Sequence, residues 1–208
     1  MGRYVGPSCK QCRREGIKLF LKGTRCMTAK CAIEKRNFAP GQHGHRRQKL
    51  SDYGIQLREK QKMKRMFGMF EEQFSVVFKR AAQKKGVTGE NLIQILEQRL
   101  DNVMYRLLFV ASRREGRQFV NHGHVYVNGR KVDVPSCQVK PGDTIEVSKK
   151  EKVQKRVKDT LELLKDRPLP EWLSLDKDTL KATVVRHPGK ADAGLPVEES
   201  MIVELYSK

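Results

Sequence analysis

The sequence predicts an α+β fold, with a basic cysteine-bearing N-terminal arm, a helical domain, and an inserted domain of helices packed on a small antiparallel sheet. Three observations predict it. Apolar residues recur at helical spacing between Phe74 and Leu107, the pattern changes to period two around Asn128-Gly129, and four of the five cysteines lie within 23 residues near the N-terminus. The expected boundaries place the arm at 1–41, the helical domain at 42–93 with 190–208, and the inserted domain at 94–189.

At 208 residues and 38% hydrophobic content the chain can bury one or two cores without disulfide staples. Its 43 Lys and Arg against 24 Asp and Glu leave a net charge of +19, which calls for a polyanionic partner, nucleic acid first. No apolar run approaches the roughly 18 residues of a membrane span. The opening "MGRYVGPSCK" lacks the apolar core of a secretory signal, so a cytoplasmic protein is expected.

The arm carries thirteen basic residues in its first 50 positions against Glu15 and Glu34 alone, and it is too poor in apolar residues to order itself by burial. Cys9, Cys12, Cys26 and Cys31 read C-x2-C-x13-C-x4-C. In a reducing compartment two such pairs suit a tetrahedral four-thiolate metal site, a knuckle, better than disulfides or a redox motif. Zinc is the first expectation, and a [4Fe-4S] cluster fits the same donors. Metal binding would supply the folding free energy that the arm lacks. Next comes "APGQHGHRRQK", an extended linker whose Arg46 and Arg47 are expected near RNA.

Ser51 as N-cap and Asp52 in the first turn open a basic helix bearing Arg58, Lys62 and Arg65, which meets Gly68. "EEQFSVVFKRAAQKKG" has acids first, bases last and Gly86 beyond, with Phe74, Val77, Phe78 and Ala81 as a core stripe. A third helix over about 91–110 would align Leu92, Leu96, Leu100, Val103 and Leu107. Ser112 and Glu115 have capping-box spacing and open a short helix ending at Gly123. "HVYV", Asn128-Gly129 and "RKVDV" spell a two-residue hairpin. A strand is expected in "QVKPGDTIEV", a helix over 149–165, a strand pair in "EWLSLD" and "ATVVRH", and a closing helix through Val197, Met201 and Leu205 for which a strand reading stays open.

The helix and hairpin together suggest what is bound. Arg113 and Arg117 are four apart, as are Arg114 and Gln118, so the helix offers guanidinium forks that suit phosphate oxygens. His122 and His124 lead into a hairpin whose tip carries Asn128, Arg130 and Lys131. One Trp and 7% aromatics are too few for a base-stacking platform, so recognition by shape and phosphate is expected.

The stretch "SRREGRQFVNHGHVYVNG" resembles the RNA-binding module of the small-subunit ribosomal protein four family. "RLDNVMYRL", "PGQHGH", "SDYGIQLREKQK" and "MIVELYSK" extend the resemblance over nearly the whole chain. It departs from the family at Gly116, usually Ala, and at Leu108, often Gly. The resemblance implies a protein that binds small-subunit ribosomal RNA early in assembly at a helix junction. It further implies contact with ribosomal protein five, a place near where messenger RNA enters the ribosome, and influence on decoding accuracy. The alternative is a pseudouridine-synthase-type RNA-modifying enzyme sharing the module, because "QRLDN" resembles a segment of those enzymes. That segment falls within an expected helix, no second domain of catalytic size remains, and Asp101 reads better as a structural partner of an arginine.

Overall fold

The computed structural model describes residue 2, residues 4–46 and residues 49–207. The elements run α1 (Ser8–Glu15), a 3₁₀ turn (Gly23–Met27), α2 (Ala32–Lys35), α3 (Asp52–Met66), α4 (Glu71–Gln83), α5 (Thr88–Glu97), α6 (Leu100–Arg106) and α7 (Arg113–Asn121). They continue with β1 (Val125–Val127), β2 (Arg130–Val132), β3 (Thr144–Val147), α8 (Glu151–Leu163), β4 (Leu173–Asp176), β5 (Lys181–Val184), α9 (Lys190–Ala193) and α10 (Glu199–Tyr206). Two compact units result, residues 1–92 with 195–208 and residues 93–194, so the arm and the helical segments fall in one unit. Among the described residues no helix is long and apolar enough to cross a membrane.

In the first unit the Ser51 hydroxyl accepts the Gly54 N–H at 3.2 Å and starts α3. Met63, Met66, Phe74, Phe78 and Ala81 form its buried interior. The closing segment is a helix, but it does not bury the Val197, Met201, Leu205 stripe. Glu199 and Ile202 are buried instead, because Tyr206 stacks on Phe78 at 4.2 Å between ring centroids and turns that face inward. Gln56 donates to Glu204 at 2.8 Å and ties α10 to α3.

In the second unit a five-stranded antiparallel sheet has the order β2-β1-β3-β5-β4. Leu100, Val103, Phe119, Val120, Val125, Ile145, Val153, Val157 and Trp172 share one core, so α6, α7 and α8 bury their apolar faces with the sheet. The single helix expected over 91–110 is two, α5 and α6, parted at Gln98-Arg99. There the backbone leaves helical pairing for the 137–139 segment: Leu100 donates to the Cys137 carbonyl at 2.8 Å, and Val139 to the Gln98 carbonyl at 3.0 Å. With Asp101 donating to the Pro135 carbonyl at 3.1 Å as well, backbone groups released by the helix find partners across the break, which makes the interruption tolerable. "QRLDN" therefore straddles a helix start rather than lying inside a helix.

Candidate nucleic-acid interface

Helix α7 is fixed at its start by reciprocal capping. The Ser112 hydroxyl accepts the Glu115 N–H at 3.3 Å, and the Glu115 carboxylate accepts the Ala111 N–H at 2.9 Å. Its neighbour α6 comes very close, since a Cβ built on Gly116 would stand 2.4 Å from the Asp101 carbonyl oxygen. The glycine that costs about 1 kcal/mol of helix propensity relative to Ala is thus the residue that admits the neighbouring backbone.

The arginines of α7 do not share one outward face. Arg113 turns inward: its Nε donates to Asn102 Oδ1 at 2.7 Å, and its guanidinium lies 4.6 Å from the Tyr105 ring centroid. Burial holds the Arg113 guanidinium below its ordinary value, while Glu97 pulls it back up. Arg117 is buried with a nitrogen 4.0 Å from an Asp101 carboxylate oxygen, and that carboxylate also takes Arg99 through two bonds of 3.1 and 2.7 Å. Both arginines lie against carboxylates within the unit, Arg113 facing Glu97 at 3.9 Å and Arg117 facing Asp101 at 4.0 Å, so the phosphate contacts expected of them require these side chains to turn outward. Toward solvent α7 leaves Gln118 and Asn121, both exposed, and Arg114, half-buried.

Beyond α7 the chain turns through Gly123, at φ 67°, where the Lys131 stem lies so close that a Cβ would come 2.2 Å from its Cε. His122 is exposed and His124 half-buried, with ring centroids 5.9 Å apart. Burial, then the charges of His122, Lys150, Arg156 and Lys131, hold the His124 imidazole below its ordinary value. In the hairpin that follows, Val127 pairs with Arg130, and Asn128 (φ 50°) with Gly129 (φ 76°) makes the two-residue turn. Both positive φ values are those of a type I′ turn. The Asn128 amide is already spoken for, donating to Asp143 at 2.8 Å and accepting the Thr144 N–H at 2.9 Å. Asn128 accordingly pins the hairpin tip to β3 while staying exposed, as Arg130 and Lys131 are.

On α3 the three expected contacts are paired as well. Arg58 and Arg65 converge on the Glu15 carboxylate, whose side chain is fully buried, and Lys62 pairs with Glu59. Burial pushes the Glu15 carboxyl up even though Arg65, Arg58, Lys62 and Arg14 oppose it. Arg58 and Arg65 thus hold the end of α1 against α3, while the Lys62 pair lies within α3. Arg46 is exposed in the linker, and Arg47 lies outside the described residues.

A family model described as the ribosomal protein S4/S9 N-terminal domain matches residues 3–97, and one described as the S4 domain matches residues 98–145. Proteins named small ribosomal subunit protein uS4 from Thermoanaerobacter sp. (strain X514) and Geotalea daltonii are 54% and 55% identical to the chain over 208 residues, all of each sequence. The chain belongs to the ribosomal protein S4 family. Its S4 domain holds α6, α7, β1, β2 and the start of β3, so Arg114, Gln118, His122, His124, Arg130 and Lys131 all fall inside that module.

The N-terminal part of this S4-family chain brings its four arm cysteines around one small cavity, lined also by Ser8, Leu21, Lys22, Arg25, Ala32 and Ile33. Cys12, Cys26 and Cys31 are buried and Cys9 is half-buried. Burial pushes the Cys12 thiol up, and Cys26, Cys9 and Cys31 repel its thiolate in the same direction. Among the described residues no three His, Cys, Asp or Glu are grouped closely enough to hold a metal ion. The donor chemistry fits a thiophilic cation, while the knuckle geometry itself is not formed. Lys150 and Arg156, which press on His124, were not among the residues expected from the sequence. The basic run "SKKEKVQKR" was the signal that could have found them.

Proposed function

We propose that this chain is a structural ribosomal-RNA-binding protein of the small ribosomal subunit, resident on the cytoplasmic ribosome, and not an enzyme. The observation that carries the reading is its likeness along all 208 residues to proteins named small ribosomal subunit protein uS4. The physical chemistry agrees. A net charge of +19 with a single Trp suits neutralisation of phosphates rather than base stacking. The exposed donors of the S4 domain, Gln118, His122, Arg130 and Lys131, would track the RNA backbone together with the half-buried Arg114, with His124 behind them and Arg46 and Arg47 contributing from the linker. The enzyme alternative is not favoured, and Asp101, which would have to act in it, is buried against Arg99.

Finer parts of the proposal rest on the resemblance of "SRREGRQFVNHGHVYVNG" and "MIVELYSK" to the family. They are early binding at a helix junction, contact with ribosomal protein five, nearness to entering messenger RNA, and influence on decoding accuracy. The test is binding to a small-subunit ribosomal RNA transcript across a salt series. Arg130→Gln with Lys131→Gln should flatten the log-affinity against log-salt slope by about 0.7 to 0.9 for each phosphate contact removed. Equal affinity for an unrelated RNA of the same length, or modified nucleosides after incubation, would overturn the reading.

A zinc ion held by Cys9, Cys12, Cys26 and Cys31 is the second part of the proposal, with a [4Fe-4S] cluster as the alternative. The shared cavity and the four-thiol donor set support it. The metal would contribute folding free energy to the arm. Elemental analysis with a visible spectrum separates the two metals. Cys26→Ser should lose the ion along with exchange protection in residues 1–41, and undiminished metal content in that variant would refute the four-ligand set.

A further inference from the structure

Helix α8 lies beyond the residues that match the S4 domain, and its two sides differ sharply. Val153 and Val157 are buried in the core shared with the sheet. The outward side presents Lys152, Lys155, Arg156, Asp159, Thr160 and Leu163, which line one shallow groove along the helix. Lys149 and Lys150 precede it, so the stretch 149–156 carries five exposed cations against one acid, Glu151.

Two bonds place this helix beside the S4 domain's candidate surface. Ser148, just before α8, donates its N–H to the His124 carbonyl at 2.9 Å. Arg156, two turns further on, reaches Glu115 in the first turn of α7 at 2.5 Å. The start of α8 therefore stands next to the His122-Gly123-His124 joint, where Lys131 packs. Lys131, Lys150 and Arg156 each act on the His124 imidazole.

We infer that the RNA surface continues past the S4 domain onto α8, where Lys152 and Lys155, with Lys149 and Lys150 leading into the helix, contact the phosphate backbone of the same RNA. The inference rests on the reading of the chain as a ribosomal-RNA binder and names a second part of its footprint. The chemistry favours RNA over an acidic protein. Protein interfaces are depleted in lysine at their centres and anchored by aromatic residues, and this face has no aromatic residue, with Leu163 its one large apolar side chain at the far end. Flexible ammonium groups without a shaped pocket match a repeating phosphate, which positions a protein without specifying sequence. Cations crowded this closely repel one another, and a polyanion laid across them relieves that repulsion.

The test compares three double variants of the full chain on a small-subunit ribosomal RNA transcript across a salt series. They are Lys152→Gln with Lys155→Gln on α8, Arg130→Gln with Lys131→Gln on the hairpin, and Lys177→Gln with Lys181→Gln at the far side of the sheet. All six side chains are exposed, and thermal melts identify any variant whose fold has changed. A charge-reversed α8 pair, Lys152→Glu with Lys155→Glu, gives a second reading of the same surface. The α8 double should lower the magnitude of the slope by about 1.4 to 1.8, the hairpin double by a similar amount, and the far-side double by almost nothing. A flattened slope for the hairpin alone would overturn the α8 inference and leave the ribosomal-RNA reading standing. No change in either, with weak binding throughout, would overturn both. Equal flattening by the far-side double would reduce the effect to net charge and remove α8 from the footprint. An α8 pair that leaves the RNA slope intact but abolishes capture of an acidic small-subunit protein would reassign the face to that protein.

Discussion

Removing the charge of Glu97 should unfold the second unit more readily than any surface substitution. Its side chain is fully buried and takes Arg106 through two bonds of 2.7 Å each. It also accepts Asn102 Nδ2 at 2.8 Å and faces an Arg113 nitrogen at 3.9 Å. Asn102 in turn accepts the Arg113 Nε, so one carboxylate orders α5, α6 and α7 together. Glu97→Gln keeps the shape and one acceptor but strands two guanidinium groups with only 16% and 10% of their side chains exposed. Breaking a buried ion pair from one side costs on the order of 3–5 kcal/mol. The lower end is expected, because Arg106 retains the Ala193 carbonyl at 2.6 Å and Arg113 retains the Tyr105 ring. For a unit of about 100 residues, ~3 kcal/mol corresponds to a fall in melting temperature of roughly 12 °C or more. Calorimetry, with hydrogen exchange to assign the transition to residues 93–194, measures it. Adding Arg113→Met should restore part of the loss, since the second charge no longer needs a partner. A drop of less than about 1 kcal/mol in the single variant would refute the claim that this network fixes α7.

Gly129→Val should loosen the β1–β2 hairpin and weaken RNA binding, because a β-branched residue at φ 76° is strained; fast exchange at Val125–Val132 with lower affinity is the expected result. Gly116→Ala sets a gain of about 1 kcal/mol in helix propensity against an overpacking cost of roughly 1–3 kcal/mol. With 2.4 Å to the Asp101 oxygen the clash should win, and a urea midpoint higher than wild type would show that α6 and α7 are not so close. The Asp192 carboxyl is held below its ordinary value of 3.8 by Arg186 and by the Gly189 N–H, which burial only partly offsets. A depressed carboxyl stabilises the fold above its unfolded value and stops doing so as the pH falls through its folded one. Asp192→Asn should therefore lose less stability than wild type on acidification below 3.8, and parallel acid-unfolding curves would contradict the assignment.

What the sequence made legible was local. Asn128-Gly129 dictates its own turn, Ser51 and Ser112 cap the helices that follow them, and the Phe74, Val77, Phe78, Ala81 stripe is buried as periodicity requires. The break between α5 and α6 was not legible, because its cause is backbone pairing with residues some 40 positions further along the chain. The inward turn of Arg113 and Arg117 does have a signal in the sequence. Arg113, Gly116, Arg117 and Val120 share one helical face, and an apolar residue with a glycine on that face marks it as inward. The carboxylates that receive the two arginines, Glu97 and Asp101, lie on the elements before α7, where spacing within one helix says nothing of them. For the α3 trio the missing information was likewise tertiary: Glu15 sits 43 residues before Arg58.

One of the two edge strands of the sheet, β2, spans only three residues, and two of them, Arg130 and Lys131, are exposed cations. An open strand edge is a template on which another chain can add a strand, and short length with charged side chains is how proteins discourage it. The same two side chains proposed to hold RNA thus also keep free copies of the protein from joining edge to edge. Neutralising them should raise self-association before the RNA is added, and RNA laid over them would shield that edge for as long as it stays bound.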